Sequence, residues 1–210
     1  MIGWLIGCGD SNASNPIDAP GSIDAAIDAP SIDARTICDP LATFGPPVPF
    51  TGAALPNSIE SRPHLTSDEL SVYFSAGGFL SGVSQLYAAH RSAVTAKFGA
   101  PNLLPVVNMA FDRDPTVRSD GLELWFASNR GAPGGVLHLF VATRASTSDD
   151  FGTPAPDPYI NTANPDVNDS TPFLTADWQQ LWFASSRPPD PSGAFANNIW
   201  HAAREGRSFT

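Results

Sequence analysis

Three stretches of this chain carry the same landmarks in the same order: PHLTSDELSVYFSAGG from Pro63, PTVRSDGLELWFASNR from Pro115 and PFLTADWQQLWFASSR from Pro172. The prolines stand 52 and 57 residues apart. Each copy runs from its proline to a turn aspartate (Asp68, Asp120, Asp177) and then to an adjacent aromatic pair: Tyr73 with Phe74, Trp125 with Phe126, Trp182 with Phe183. After a loop comes a second aromatic strand, LYAAHR, LFVATR or IWHAAR, ending at Arg91, Arg144 and Arg204. Phe98-Gly99, Phe151-Gly152 and Ser208-Phe209 follow. A short strand, a polar turn and a second strand make a hairpin. Its recurrence near every fifty residues predicts an array of all-β units that bury their faces against one another.

Composition agrees with many short strands joined by turns: 21 Pro and 17 Gly accompany 42% hydrophobic residues, and no helix-period run of useful length occurs. Four strands per unit are expected. For the middle copy these fall at residues 115–117, 122–128 and 139–143, with a weak one near 154–160. Thr43-Phe44-Gly45-x-Pro47 echoes KFGAP and DFGTP, so the array opens on what reads as the tail end of a unit.

These residues resemble the TolB-type, WD40-like β-propeller repeat, whose blades carry a Pro-x-x-Ser-x-Asp-Gly turn, an aliphatic-aromatic strand and a Ser-x-Arg. The resemblance covers residues 44–210 and is nearest to a group found in bacterial envelope lipoproteins. It implies a partial propeller of about three four-stranded blades, near 63–108, 115–161 and 172–210, which would be half of a six-bladed ring and apparently truncated. Glu69 and Trp178 stand where the middle copy has Gly121. A non-glycine residue in a left-handed backbone costs ~1 kcal/mol, so the first and third turns are expected to differ in shape from the second.

Ahead of the array, residues 1–8, MIGWLIGC, are apolar and end in Leu5-Ile6-Gly7-Cys8, a lipobox-like sequence in which Cys8 would carry the lipid. No Lys or Arg precedes Cys8. Residues 9–40 repeat Ile-Asp-Ala four times between prolines, with six aspartates and one arginine. Isolated isoleucines between like charges bury too little to offset ordering costs of ~1–2 kcal/mol per residue, which predicts a disordered acidic tether. Lipid on Cys8 would leave Cys38 unpaired; a Cys8–Cys38 disulfide across the tether is the alternative.

Adjacent strand residues point to opposite faces, so each aromatic pair is expected to fill two interfaces between blades. The end blades would then expose apolar surface, Tyr73 or Phe74 on one side and Trp182 or Phe183 on the other. Asp68, Asp120 and Asp177 suit turns in which the carboxylate accepts a backbone N–H. The four histidines lack metal-ligand spacing, and no nucleophile elbow or phosphate loop occurs. Asp166 to Ser170, DVNDS, reads as turn-forming rather than cation-binding. No metal, cofactor or catalytic residue is assigned. A formal charge of −10 argues against nucleic acid. The expected function is a lipid-anchored envelope scaffold that binds a protein or ligand, with homodimerisation or completion by further sequence. The alternative is a propeller-type carbohydrate-active enzyme, marked by acids from different blades meeting in one pocket with raised pKa values.

Overall fold

The structure, a computed structural model, describes residues 46–47, 50, 52, 54–77, 83–105, 111–132, 135–164, 166–188, 197–205 and 208–209. The lipobox with Cys8, the tether and Cys38 lie outside the described residues. Chain contacts divide the molecule at Val48, and the strands below all belong to the second unit, Pro49–Thr210.

Three antiparallel sheets of four strands follow one another along the chain, each in sequence order. The first blade holds β1 (Ile59–Leu65), β2 (Ser71–Gly77), β3 (Gln85–His90) and β4 (Asn102–Leu103). The second holds β5 (Asp112–Val117), β6 (Glu123–Ser128), β7 (His138–Thr143) and β8 (Ala155–Pro156). The third holds β9 (Asp169–Leu174), β10 (Gln180–Ser185), β11 (Asn198–Glu205) and β12 (Ser208–Phe209). No α-helix occurs among the described residues. The chain is all-β.

The first strand of each blade, β1, β5 and β9, packs beside its counterpart in the next blade, as inner strands do around a propeller axis. Each inner strand is bulged at the residue before its proline, and Arg62, Asp114 and Thr171 take φ of 56°, 57° and 49° there. A bulge is one of the few places a strand tolerates proline. The inner strand of the middle blade therefore begins at Asp112, with Pro115 inside it rather than at its start.

Burial follows the alternation of side chains. Leu124 and Phe126 face the first blade, in a cluster with Tyr73, Leu86, Ala88, Val117 and Phe140. Trp125 and Ala127 face the third blade, packing with Leu139, Leu174, Leu181 and Phe183. All six residues of β6 are buried. Within the first blade, Tyr73 faces the second blade while Phe74 lies on the far side under Leu55 and Phe98. Both are buried, so neither supplies the exposed aromatic expected at that end. In the third blade Phe183 is buried and Trp182 is exposed.

The turns correct one expectation. Glu69, Gly121 and Trp178 all adopt left-handed backbone, φ 58°, 74° and 62°. Each donates its N–H three residues back, to Thr66, Arg118 and Thr175, at 2.8, 2.7 and 2.9 Å. The three turns share one shape because in each the turn aspartate accepts the N–H two residues on, that of Leu70, Leu122 and Gln179, and the two non-glycine residues gain further contacts. Arg91 Nη2 reaches Glu69 Oε2 at 3.3 Å, and Arg118 stacks 4.8 Å from the Trp178 ring, whose indole N–H donates to Ser119 Oγ.

Candidate functional site

Three places on the array gather side chains capable of recognition. The first is the axial mouth. Arg62, Asp114 and Thr171 occupy the same bulge in successive blades and, with His64, Thr116 and Phe173, line a cavity of about 150 Å³. Asp114 is buried. Its carboxylate accepts from Arg113 Nε at 3.1 Å and from the Thr171 N–H at 3.1 Å, with Arg62 Nε 3.5 Å away. Its own N–H donates to Ser75 Oγ at 2.9 Å. One carboxylate thus ties three blades, which offsets the cost of burying its charge. His64 Nδ1 lies 3.3 Å from Thr116 Oγ1, and burial holds the imidazole below its ordinary pKa despite a backbone hydrogen bond with Val117.

The second is a groove of about 280 Å³ between the turn ends of the first two blades, lined by Asp68, Ser71, Tyr73, His90, Asp120, Arg144 and others. Ser71 Oγ sits 2.8 Å from His90 Nδ1, because β2 and β3 place these residues opposite each other. Burial, and then the Arg144 charge, lower the His90 pKa. Burial raises the Tyr73 phenol despite the opposing effect of Arg144, which donates to its oxygen at 3.1 Å.

Asp68 and Asp120 line this groove from two blades, and both pKa values are lowered. For Asp68 the cause is the Thr66 hydroxyl, 2.6 Å away, followed by the Leu70 N–H. For Asp120 burial acts to raise the value, and hydrogen bonds from Arg118 and the Leu122 N–H, with the Arg118 charge, outweigh it. Asp177 occupies the matching place in the third turn, lowered by Thr175 and the Gln179 N–H.

The third place is the outer face of the third blade. Strand register aligns Phe173, Trp182 and Ile199 with Thr116, Trp125 and Leu139 of the middle blade. Exposure of the middle set is 1%, 2% and 0%; that of the third-blade set is 56%, 38% and 74%. The Trp182 ring stacks on His201 with centroids 4.9 Å apart. Large exposed apolar patches on soluble domains mark binding surfaces.

Other repeated charges are structural. Asp112 and Asp169 are fully buried and accept from Arg130 and Arg187 at 2.6 and 2.7 Å. Each arginine also lies over an aromatic ring of its own blade. Asp169 is the fourth residue of DVNDS. Among the described residues no cluster of three or more His, Cys, Asp or Glu is placed to hold a metal. Sequence reasoning missed the buried Asp–Arg pairs; the matching spacings from Asp112 to Arg130 and from Asp169 to Arg187 were the signal.

A stack of four-stranded antiparallel blades with bulged inner strands at a common axis defines a β-propeller-like array. No protein-family profile matches the chain, and no curated protein matches it. Solved structures similar to it include TolB from Acinetobacter baumannii, at 15% identity and a TM-score of 0.46, over 68% of this chain and 29% of TolB. The β-propeller domain of the trilobed protease from Pyrococcus furiosus, with an open velcro topology, is similar at 12% identity and a TM-score of 0.43, over 73% of this chain and 41% of that one. A chain from work on two prolyl endopeptidases is similar at 18% identity and a TM-score of 0.42, over 74% and 21%. This chain spans less than half the length of each.

Proposed function

We propose that this chain is a lipid-anchored protein of the bacterial cell envelope whose blade array is a scaffold that binds another protein. The observation that carries the binding half is the third blade's outer face, where Phe173, Trp182 and Ile199 expose the surface that the middle blade buries at the same repeat positions. The anchoring half rests on the sequence Leu5-Ile6-Gly7-Cys8 and the acidic spacer after it, which would carry the array away from an anionic membrane surface. Two substitutions test the halves separately. Replacing Ile199 with a photo-crosslinking residue should give a discrete protein adduct in intact cells; absence of any adduct refutes the binding role. Cys8→Ser should move the chain from the membrane to the soluble fraction, since acyl chains anchor by ~0.8 kcal/mol per buried CH₂. Unchanged partitioning refutes the anchor.

A second reading, a propeller-type carbohydrate-active enzyme, rests on Asp68 and Asp120 lining one inter-blade groove. Such chemistry uses one protonated carboxyl beside one ionised carboxylate. Both are lowered here, by hydrogen bonds that favour the ionised form, so neither supplies the protonated member of such a pair. Glycosidase activity abolished by Asp68→Asn or Asp120→Asn would establish this second reading.

A further inference from the structure

The two end faces of the array are the two halves of one repeated interface. At each internal contact, one blade offers the row containing Tyr73 and Leu86, or Trp125 and Leu139. The next blade receives it on the row Val117, Leu124 and Phe126, or Leu174, Leu181 and Phe183. The third blade's outer face is an offering row with nothing of the described chain on it: Trp182 and Ile199. The first blade's outer face is a receiving row, since strand register matches Leu65, Val72 and Phe74 to Leu174, Leu181 and Phe183. Leu55 and Phe98 already pack on Val72 and Phe74, while Leu65 is exposed; an apolar cleft of about 730 Å³ lined by Phe50, Leu65, Val72, Phe74 and Phe98 and bordered by Arg91 remains on this face.

A polar contact sets the register of the internal interfaces. The arginine ending the third strand of one blade reaches back to the blade before it. Arg144 Nη2 donates to Tyr73 Oη at 3.1 Å, and Arg204 Nη2 donates to Glu123 Oε1 at 2.6 Å, the oxygen that also accepts from the Trp125 indole. Arg91 is the matching residue of the first blade. Its Nε holds the Glu69 carbonyl at 2.7 Å just as Arg144 Nε holds that of Gly121, and it lies 4.6 Å over Phe98 as Arg144 lies 4.4 Å over Phe151. Its Nη2 rests on the exposed Glu69 carboxylate. The matching acceptor at the other end is Gln180 Oε1, which takes the Trp182 indole N–H at 3.0 Å.

We propose that a second copy of this chain covers both faces: the third blade of each copy packs into the first-blade cleft of the other, head to tail, with Arg91 donating to Gln180. Heterologous contacts of this kind close into a ring when the rotation allows, and the three described blades of each of two copies would together make six, within the range of closed propellers. The inference deepens the protein-binding role by naming the partner.

Analytical ultracentrifugation of the full chain tests it. The wild type should sediment as a concentration-dependent monomer and dimer with no larger species. Ile199→Asp and Leu65→Asp each alter an exposed residue, so both variants should fold, with circular dichroism as the check. Each alone should be monomeric, and their mixture should form a 1:1 pair, because one copy keeps its cleft and the other its Trp182 face. Gln180→Glu should tighten the wild-type dimer about tenfold by supplying the charged acceptor found at Glu123, and should do nothing when Arg91 is alanine. A strictly monomeric wild type overturns the inference, as does an open series of higher oligomers. So does Ile199→Asp remaining dimeric, which would mean like faces pair. A monomeric wild type that still gives an Ile199 adduct to a different protein removes the second copy and leaves the scaffold role standing.

Discussion

Trp125 and Trp182 occupy the same repeat position, each with its indole N–H on the side chain two residues earlier, so replacing each with alanine compares a buried indole with a part-exposed one, the Trp182 ring also losing its stack on His201. A fully buried tryptophan removes about 200 Å² from water, which at about 25 cal/mol per Å² is roughly 5 kcal/mol. Trp125 is 2% exposed and Trp182 38% exposed. The same coefficient gives Trp182 roughly 3 kcal/mol, so Trp125→Ala should be more costly by about 2 kcal/mol. Loss of the indole leaves Glu123 with Arg118 at 2.9 Å and Arg204 at 2.6 Å, so no buried carboxylate is orphaned to inflate the difference. Urea unfolding followed by far-UV circular dichroism, at a protein concentration where the chain is monomeric, reads both variants as midpoint shifts at constant slope. Equal shifts, or a larger one for Trp182, would refute blade-on-blade burial as the source of stability. A Trp182 cost that grows with protein concentration is the signature of the second copy.

Three further outcomes follow from the geometry. Glu69→Gly relieves a left-handed residue worth ~1 kcal/mol at the loss of an exposed ion pair worth ~0.5 kcal/mol; it should be neutral or slightly stabilising, whereas Gly121→Ala should destabilise, its new Cβ meeting Thr147 Cγ2 at 3.1 Å and Arg144 Nη2 at 3.3 Å. Urea midpoints that move in the same direction for both would contradict a shared turn shape. Asp169→Ala strands the half-buried Arg187 guanidinium and should cost about 3–5 kcal/mol, with Asp169→Asn intermediate; a calorimetric shift near zero for the alanine variant would show the pair to be dispensable. Stability should fall in two acid steps. His64 and His90 have lowered folded pKa values, so protons bind the unfolded chain first as pH drops below about 6.5. Asp68, Asp120 and Asp177 are lowered too, so their contribution is present above about 4 and lost as pH falls through their folded values. A first step that persists in a chain with His64→Gln and His90→Gln would refute the assignment.

The second and third strands of each blade were legible because adjacent aromatic pairs and the terminal arginines recur in register, and a strand buried on both faces has to be apolar at both parities. The inner strands were less so. Proline marks strand starts as readily as bulges, and nothing about Arg62 or Thr171 as a residue type announces positive φ; that conformation comes from the bulge pairing with β2 and β10. Glu69 and Trp178 misled for the opposite reason: the turn aspartate's bond to the N–H two residues on sets the left-handed position whichever residue fills it, and the contacts with Arg91 and Arg118 come from far away in sequence or from another blade. The groove pair Ser71 and His90 is 19 residues apart and meets only through strand register. Phe74 lies on the expected strand, and its cover combines Phe98, one of the recurring landmarks, with Leu55, which stands ahead of the first copy and outside the repeat pattern.

The tie at Glu123 has a consequence for which side chains can be exchanged at this repeat position. Tyrosine oxygen accepts a hydrogen bond and meets Arg144 directly, with a serine two positions before it; an indole N–H only donates, so Trp125 needs a carboxylate between itself and Arg204. Trp182 keeps the same company in Gln180. The aromatic and the residue two before it therefore work as a couple: exchanging tyrosine for tryptophan at this position keeps the blade contact only if the serine two residues earlier becomes glutamate or glutamine as well, since the indole N–H and the arginine are both donors and need an acceptor between them.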